Sequence, residues 1–387
     1  MYRVMNITSY SAKANISDID VVSPIDFGLR IPDNEAAREY LEWRRWGGKP
    51  VCPACGSPAK LWKCRPGYYK CGNRKCMKGF TVRSNSIFSR SHIPLHHWLH
   101  AIYTLLTEMK GKSSRQLGSR IAKVKSYKSA WHLGHRIREV MAADKKNIML
   151  SSDIEADESP FSGKRKGKHW DKKKNDKKTW VMGMKERNGK VVLKVLPDTA
   201  RLKKDKEVIT LDTSSEKLLY TLCQSGININ ELLDTLYKTG KVTIKKDKIV
   251  IVSDTSSEML LGILCKYVDI HSTIFTDGNP AYNKVGSLFY DHNKTIHKDK
   301  IYVVGDSIHT NGIESIWRLA KDSYRAVYYR PSPTHLQRYL DELMFRWNNK
   351  TDKEPIMEAL GKFVDLCWGV TLPWDKLVPP KKTKQAA

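Results

Sequence analysis

The sequence predicts a multidomain chain: an N-terminal zinc ribbon, a helix-turn-helix, then an α/β domain with an inserted strand–helix repeat. Three observations predict it. Five of the eight cysteines fall between residues 52 and 76. Apolar residues recur at helical spacing from Leu95, and strand-like runs replace them past residue 150. The boundaries follow those changes: an entry segment over 1–48, the ribbon over 49–90, the helix-turn-helix over 91–148, the α/β domain over 149–350 with its insertion at about 200–250, and a basic C-terminal tail over 351–387.

Composition narrows the partners. Lysine and arginine outnumber acids by 68 to 41, a formal charge of +27 spread along 387 residues. Such a surface attracts a polyanion, and nucleic acid is the usual one. No apolar run approaches the ~20 residues a membrane span needs, so a membrane partner is not expected. The N-terminal stretch MYRVMNITSYSAKANISDID lacks a basic-then-apolar leader, which places the expected site of action in the cytoplasm, at the nucleoid.

The ribbon rests on cysteine spacing. Cys52-Pro-Ala-Cys55 and Cys71-Gly-Asn-Arg-Lys-Cys76 are two close pairs separated by a loop, as a tetrahedral Zn²⁺ site requires. The second pair has four intervening residues instead of the commoner two, and Cys64 stands nearby as a substitute ligand. Cys223, Cys265 and Cys367 sit in apolar surroundings and read as packing residues.

LHHWLHAIYTLLTEMKG reads as an amphipathic helix closed by Gly111, SSRQLGSRIA as a serine-capped second helix, and YKSAWHLGHRIREVMAA as a third. Helix, tight turn, then a helix rich in Trp, His and Arg outlines a helix-turn-helix. Beyond it TWVMGMKER, KVVLKVLP, KIVIVS and STIFTDG are strand-like. DTSSEKLLYTLC (212–223) and DTSSEMLLGILC (254–265) align without gaps, each after a strand-like run. They read as a partial duplication that adds one strand–helix unit.

Three acids stand out. Asp157 ends the strand-like DIEAD, and Asp277 ends STIFT before Gly278. Glu314 lies in HTNGIESIWRLAK, which as a helix puts Asn311, Glu314, Arg318 and Lys321 on one side and Ile313, Ile316, Trp317 and Ala320 on another. A plain structural account exists for each. The aspartates suit turns, and Asn311 with Glu314 would make a capping box. Together they fit a stricter need, because two-metal phosphoryl transfer requires carboxylates converging from separate elements. Hard oxygen ligands of this kind select Mg²⁺ or Mn²⁺.

In order and spacing Asp157, Asp277, Glu314 and Lys321 resemble the DDE transposases. The similarity is greater to the zinc-ribbon insertion-sequence type, bacterial relatives of the Merlin transposons. It runs over most of the chain, through EAAREYLEWRRWGGKPVCPACGS, YYKCGNRKCMKGFTVRSNSIF, EADESPFSGKRKGK, FTDGNPAY, IHKDKIYV with His297, and HLQRYLDELMFRWNN. The resemblance implies an RNase H-like catalytic domain that cleaves at transposon ends and joins the 3′-hydroxyls to target DNA, with double-stranded DNA, as ends and as target, for its partner. It implies Asp157 and Asp277 as metal holders, with Glu314 or its neighbour Asn311 completing the set; glutamate is the better cation ligand because it brings charge. Lys321 would contact phosphate, the ribbon and helix-turn-helix would read the terminal repeats, with His132, His135 and Arg136 as candidates, and a homo-oligomer would pair the ends. A domesticated DNA-binding regulator, or a structure-specific nuclease of the same fold, is the alternative.

Overall fold

The computed structural model describes residues 23–61, 65–144, 148–161, 178–196, 208–212, 242–245, 248–252, 256–277, 279–282, 289–295, 309–349 and 356–378. The chain divides into two units: Met1–Lys146, Asp322–Pro331 and Arg338–Ala387 form one, Asn147–Lys321 and Ser332–Gln337 the other. Cys64, Cys223, His297, the Lys-rich loop after Phe161 and the first repeat copy past Asp212 lie outside the described residues.

In the first unit, α1 (Pro24–Arg30) starts with a capping box between Ser23 and Asp26. Helix α2 (Asn34–Trp46) starts on Asp33, whose side chain accepts the N–H groups of Glu35 and Ala36, and ends at Gly47 in the left-handed region. The ribbon strands β1 (Ala59–Leu61), β2 (Tyr68–Cys71) and β3 (Gly79–Thr81) form an antiparallel sheet. Trp46 meets Tyr69 and Phe80 edge-on at 5.3 and 5.8 Å, and the Tyr69 hydroxyl donates to Glu42 at 3.0 Å. Entry segment and ribbon are therefore one packed piece, and the expected boundary at residue 48 has no physical counterpart. So small a sheet cannot bury enough surface alone.

Helix α3 (Leu95–Thr107), a wide π-turn over Gln116–Ile121 and α4 (Tyr127–Asp144) follow. Leu99, Ile102, Leu133 and Ile137 share one core with Phe27 and Leu41. The expected tail does not behave as a tail. Helix α8 (Ile356–Leu366) buries Leu360, Phe363 and Val364 in that same core, beside a fully buried Cys367. The apolar stripe of IMEALGKFVDL drives this, and lysine-rich flanks hide it from a composition reading. Helix α9 (Trp374–Leu377) sets Trp374 against Trp131 and His132.

Helix α7 (Pro333–Asn348) is divided between the two units, Pro333–Gln337 in the second and Arg338–Asn348 in the first. From α7, Glu342 accepts a hydrogen bond from Arg138 of α4 at 2.7 Å, with both side chains fully buried. The Tyr339 and Tyr328 rings flank that guanidinium at 4.1 and 5.4 Å, and the Tyr328 hydroxyl donates to Glu342. A buried charge is tolerable when paired and enclosed in this way.

The second unit centres on a five-stranded sheet: β4 (Asp153–Phe161), β5 (Thr179–Glu186), β6 (Val191–Val195), β10 (Thr273–Asp277) and β11 (Asp291–Thr295), ordered β11-β10-β4-β5-β6. The first three run antiparallel, while β10 runs parallel to β4 and to β11. Val181 to Lys185 are buried without a break, as a strand covered on both faces should be. Gln337 of α7 seals the outer edge of β6, accepting from Val195 N–H and donating to the Leu193 carbonyl at 2.8 and 3.0 Å. Helix α5 (Ser256–Tyr267) carries the second repeat copy and buries Leu260, Ile263, Leu264 and Tyr267. The insertion forms a separate antiparallel sheet of β7 (Val208–Asp212), β9 (Lys248–Val252) and β8 (Val242–Lys245). The two strands that precede the repeat copies, β7 and β9, pair directly with each other.

Candidate functional site

The acids converge where β4, β10 and α6 (Asn311–Asp322) meet. In the β4–β10 ladder Thr276 pairs with Ala156, so Asp277 stands beside Asp157, one step further along. Side chains alternate across a strand, which puts Asp153, Glu155 and Asp157 on one face of β4. Helix α6 lies on that face: the Trp317 indole N–H donates to Asp157 Oδ2 at 2.8 Å. Ile313, Ile316, Trp317 and Ala320 are buried, while Asn311, Glu314 and Arg318 are exposed. The two-faced helix read from the sequence is present.

The proximity has an electrostatic consequence. The Asp157 carboxyl is pushed up to about 6, first by burial and further by the negative charges of Asp277 and Glu314, against the opposing hydrogen bond from Trp317. Glu158, on the other face of β4, is raised to about 7 by burial and by Asp157 and Asp277, while the Tyr282 phenol opposes the shift. Asp157 Oδ1 also accepts the N–H of Glu158 at 2.8 Å. Asp277 Oδ1 accepts the N–H of Asn279 at 3.1 Å, which fixes the turn after β10. Asn311 and Lys321 lie on α6, Asn311 one turn before Glu314 and Lys321 two turns after it.

The capping box expected of Asn311 and Glu314 is not formed. Helix α6 begins at Asn311, and the Glu314 N–H bonds the Thr310 carbonyl at 3.2 Å. Glu314 is therefore the fourth helical residue and Ile313 the third. The Ile313 N–H is taken by Glu155 Oε2 at 2.8 Å. Glu155 is 1% exposed and also faces His309 Nδ1 at 3.3 Å and Arg187 Nε at 3.6 Å. A capping carboxylate from another strand replaces the local cap and leaves Glu314 free on the polar side. Glu155 and Glu158 were not singled out from the sequence; the acids at i, i+2 and i+4 of DIEAD were the available signal for Glu155, while Glu158 falls outside that alternation.

Cys52, Cys55, Cys71 and Cys76 form the second site, with all four sulfurs within 4.8 Å of one another. The Cys52–Cys76 and Cys55–Cys71 sulfurs are 3.9 and 3.4 Å apart. A tetrahedron with Zn–S near 2.3 Å needs sulfurs about 3.8 Å apart, so the donor set fits Zn²⁺. Gly56, at φ +71°, closes the first knuckle. In the second, Asn73 accounts for the longer spacing: its N–H donates to Cys71 Sγ at 3.4 Å, its side chain accepts from Lys75 N–H, and its carbonyl accepts from Cys76 and Met77. Hydrogen bonds from Ser57 hold the Cys55 thiol down, to about 6.

The residues expected to read DNA are placed otherwise. His135 is fully buried against Trp131 and Tyr339, the His132 ring nitrogen bonds the Leu372 carbonyl at 2.8 Å, and Arg136 donates to the Ser89 carbonyl. Apolar packing on both sides of α4 explains this. What α4 and the preceding turns expose instead is Arg115, Arg120, Lys123, Lys125, Tyr127 and Lys128.

Comparison with known families gives two matches. Residues 32–78 match the family described as transposase zinc-ribbon domain, and residues 241–348 match the ISXO2-like transposase domain. The second match takes in Asp277, Glu314 and Lys321 and begins after Asp157. No curated protein and no solved structure matches the chain. Among the described residues, no helix is long and apolar enough to cross a membrane.

Proposed function

Because the chain belongs to the zinc-ribbon DDE transposases of the insertion-sequence type, we propose that it cleaves at transposon terminal repeats and joins the freed 3′-hydroxyls to target DNA, with Asp157, Asp277 and Glu314 holding the divalent cations. One observation carries this reading: carboxylates from two strands and a helix converge, and the Asp157 carboxyl is raised to about 6, first by burial and then by the charges of Asp277 and Glu314. Such crowding is unfavourable unless a cation relieves it, and an all-oxygen set suits Mg²⁺ or Mn²⁺. Asp157, Asp277 and Glu314 would hold the divalent cations, whose chemistry when bound would be activation of the attacking oxygen and stabilisation of the leaving one in phosphoryl transfer. The chain's own contribution is placement. Trp317 fixes Asp157, the Asn279 N–H fixes Asp277, and Glu155 fixes the start of the helix that presents Glu314. Lys321 would bind a DNA phosphate. The strand order, three antiparallel strands then two parallel ones beside the first, supports an RNase H-like reading of this domain.

For end recognition, the exposed beginning of α4 suits a helix-turn-helix whose recognition helix inserts by its N-terminal residues. Lys123, Lys125 and Lys128 would meet the backbone, and Tyr127 the groove. A structure-specific nuclease would share the acids without joining strands. Supplying pre-cleaved transposon ends with target DNA tests the reading. Strand joining that requires Mg²⁺ or Mn²⁺ supports it, and cleavage without joining favours the nuclease.

A further inference from the structure

We propose that Trp317 is a positioning residue for the Asp157 carboxylate, and that Gly183 exists to leave room for its indole. Metal affinity would then depend on an N–H that touches neither cation nor DNA. The inference rests on the reading of Asp157 as a metal ligand.

The buried face of α6 needs apolar bulk, which leucine would supply as well as tryptophan. Tryptophan adds a single donor and no acceptor, and that donor lies 2.8 Å from Asp157 Oδ2. Trp317 is 5% exposed, so water competes little for the bond. The other oxygen, Oδ1, accepts the Glu158 N–H at 2.8 Å. With one fixed donor on each oxygen, the carboxylate cannot rotate, and its remaining lone pairs keep one direction. The bond also ties the helix bearing Glu314 to the strand bearing Asp157, one helical turn from Glu314 itself.

Gly183 makes the case specific. It is the direct ladder partner of Asp157 on β5, between the buried Met182 and Met184. Glycine within a strand weakens it and calls for a reason. A Cβ there would lie 2.6 Å from Trp317 Cζ2, 2.8 Å from its Cη2 and 2.8 Å from Ile313 Cδ1. Every L side chain at this position would drive the indole away from Asp157.

The test uses the full-length, zinc-loaded chain and Mn²⁺ as the probe. Binding is measured by calorimetry, and the half-saturating Mg²⁺ concentration for strand joining is measured in parallel. Trp317→Phe keeps ring bulk and removes the donor; Gly183→Ala keeps every functional group and displaces the indole. Both should weaken Mn²⁺ binding about tenfold, as loss of one charge-assisted hydrogen bond worth about 1.4 kcal/mol implies. Ile316→Val, a change in the same buried stripe, should stay within about twofold of wild type. If Trp317→Phe does not fold, Gly183→Ala carries the test. Unchanged Mn²⁺ affinity in folded Gly183→Ala or Trp317→Phe overturns the proposal, and so does equal weakening by Ile316→Val. Asp157→Asn separates the two levels: undiminished Mn²⁺ binding in that variant overturns the metal-site reading itself.

Discussion

The carboxylate of Glu155, in the middle of a buried strand, accepts the backbone N–H of Ile313 at 2.8 Å and so caps the helix that carries Glu314. A free helix N-terminus leaves such groups unsatisfied, and here the acceptor comes from a strand 158 residues earlier in the chain. Glu155→Ala should cost about 2–4 kcal/mol, because it leaves that buried N–H unsatisfied and removes the buried carboxylate facing Arg187 and, when protonated, His309. Asn311→Ala, at an exposed first helical position, should cost less than about 0.5 kcal/mol. Urea denaturation of both variants checks the contrast.

Asp157 gives the metal-free protein a pH signature. Its folded pKa, about 6, lies above the ordinary aspartate value of 3.8. The protonated form is therefore favoured by folding. The stability it contributes is fully present below about pH 4 and is lost as pH rises through about 6. Asp157→Asn should accordingly be about 1–3 kcal/mol more favourable to the metal-free chain at pH 8 than at pH 4, on top of a constant loss from setting its NH2 against one of the two N–H donors. Thermal melts across that range, on protein dialysed free of Mg²⁺ and Mn²⁺ without chelator so that the ribbon keeps its zinc, would show it.

The ribbon should depend on its metal. About one tightly bound zinc per chain is expected, and Cys52→Ser or Cys76→Ser should expose Trp46, which packs on the ribbon core, to solvent and to quenchers. Metal analysis of reduced protein and tryptophan quenching test this; a full complement of cysteines without zinc would contradict it.

DNA binding should fall steeply with salt, by on the order of 10³-fold between 50 and 200 mM if six or more phosphates are neutralised. Lys123→Ala, Lys125→Ala and Lys128→Ala should each lower the slope of log affinity against log salt by about 0.9. His135→Ala should instead lower stability, since that ring is buried. Fluorescence anisotropy on a terminal-repeat duplex, at several salt concentrations, distinguishes the two.

Local chemistry made much of this legible in the sequence. Cysteine spacing located the ribbon, and the apolar stripe of IWRLA located the buried face of α6. Asp277 was visible because it ends a run that reads as a strand and ends β10. Asp157, expected at a strand end and turn, lies in mid-strand because β4 continues to Phe161 in its pairing with β5. What failed depended on partners distant in sequence. Asn311 and Glu314 spell a capping box, yet Glu155 takes the Ile313 N–H instead. His132, His135 and Arg136 look like a reading face until Tyr339 and Leu372 cover it. The edge strand DHNKT carries no apolar alternation, and pairing with β10 alone makes it a strand.

Glu314 decides the central claim. Glutamine keeps the size of the side chain and removes the charge a divalent cation requires. Since Glu314 is exposed and caps nothing, Glu314→Gln should fold and bind transposon ends as wild type does. The measurement is joining of a pre-cleaved transposon end in Mg²⁺ and in Mn²⁺, with the melting temperature recorded for each variant. The account predicts no joining by Glu314→Gln at unchanged stability, beside an active Asn311→Ala. An active Glu314→Gln beside a well-folded but inactive Asn311→Ala would contradict it and move the third catalytic position to asparagine.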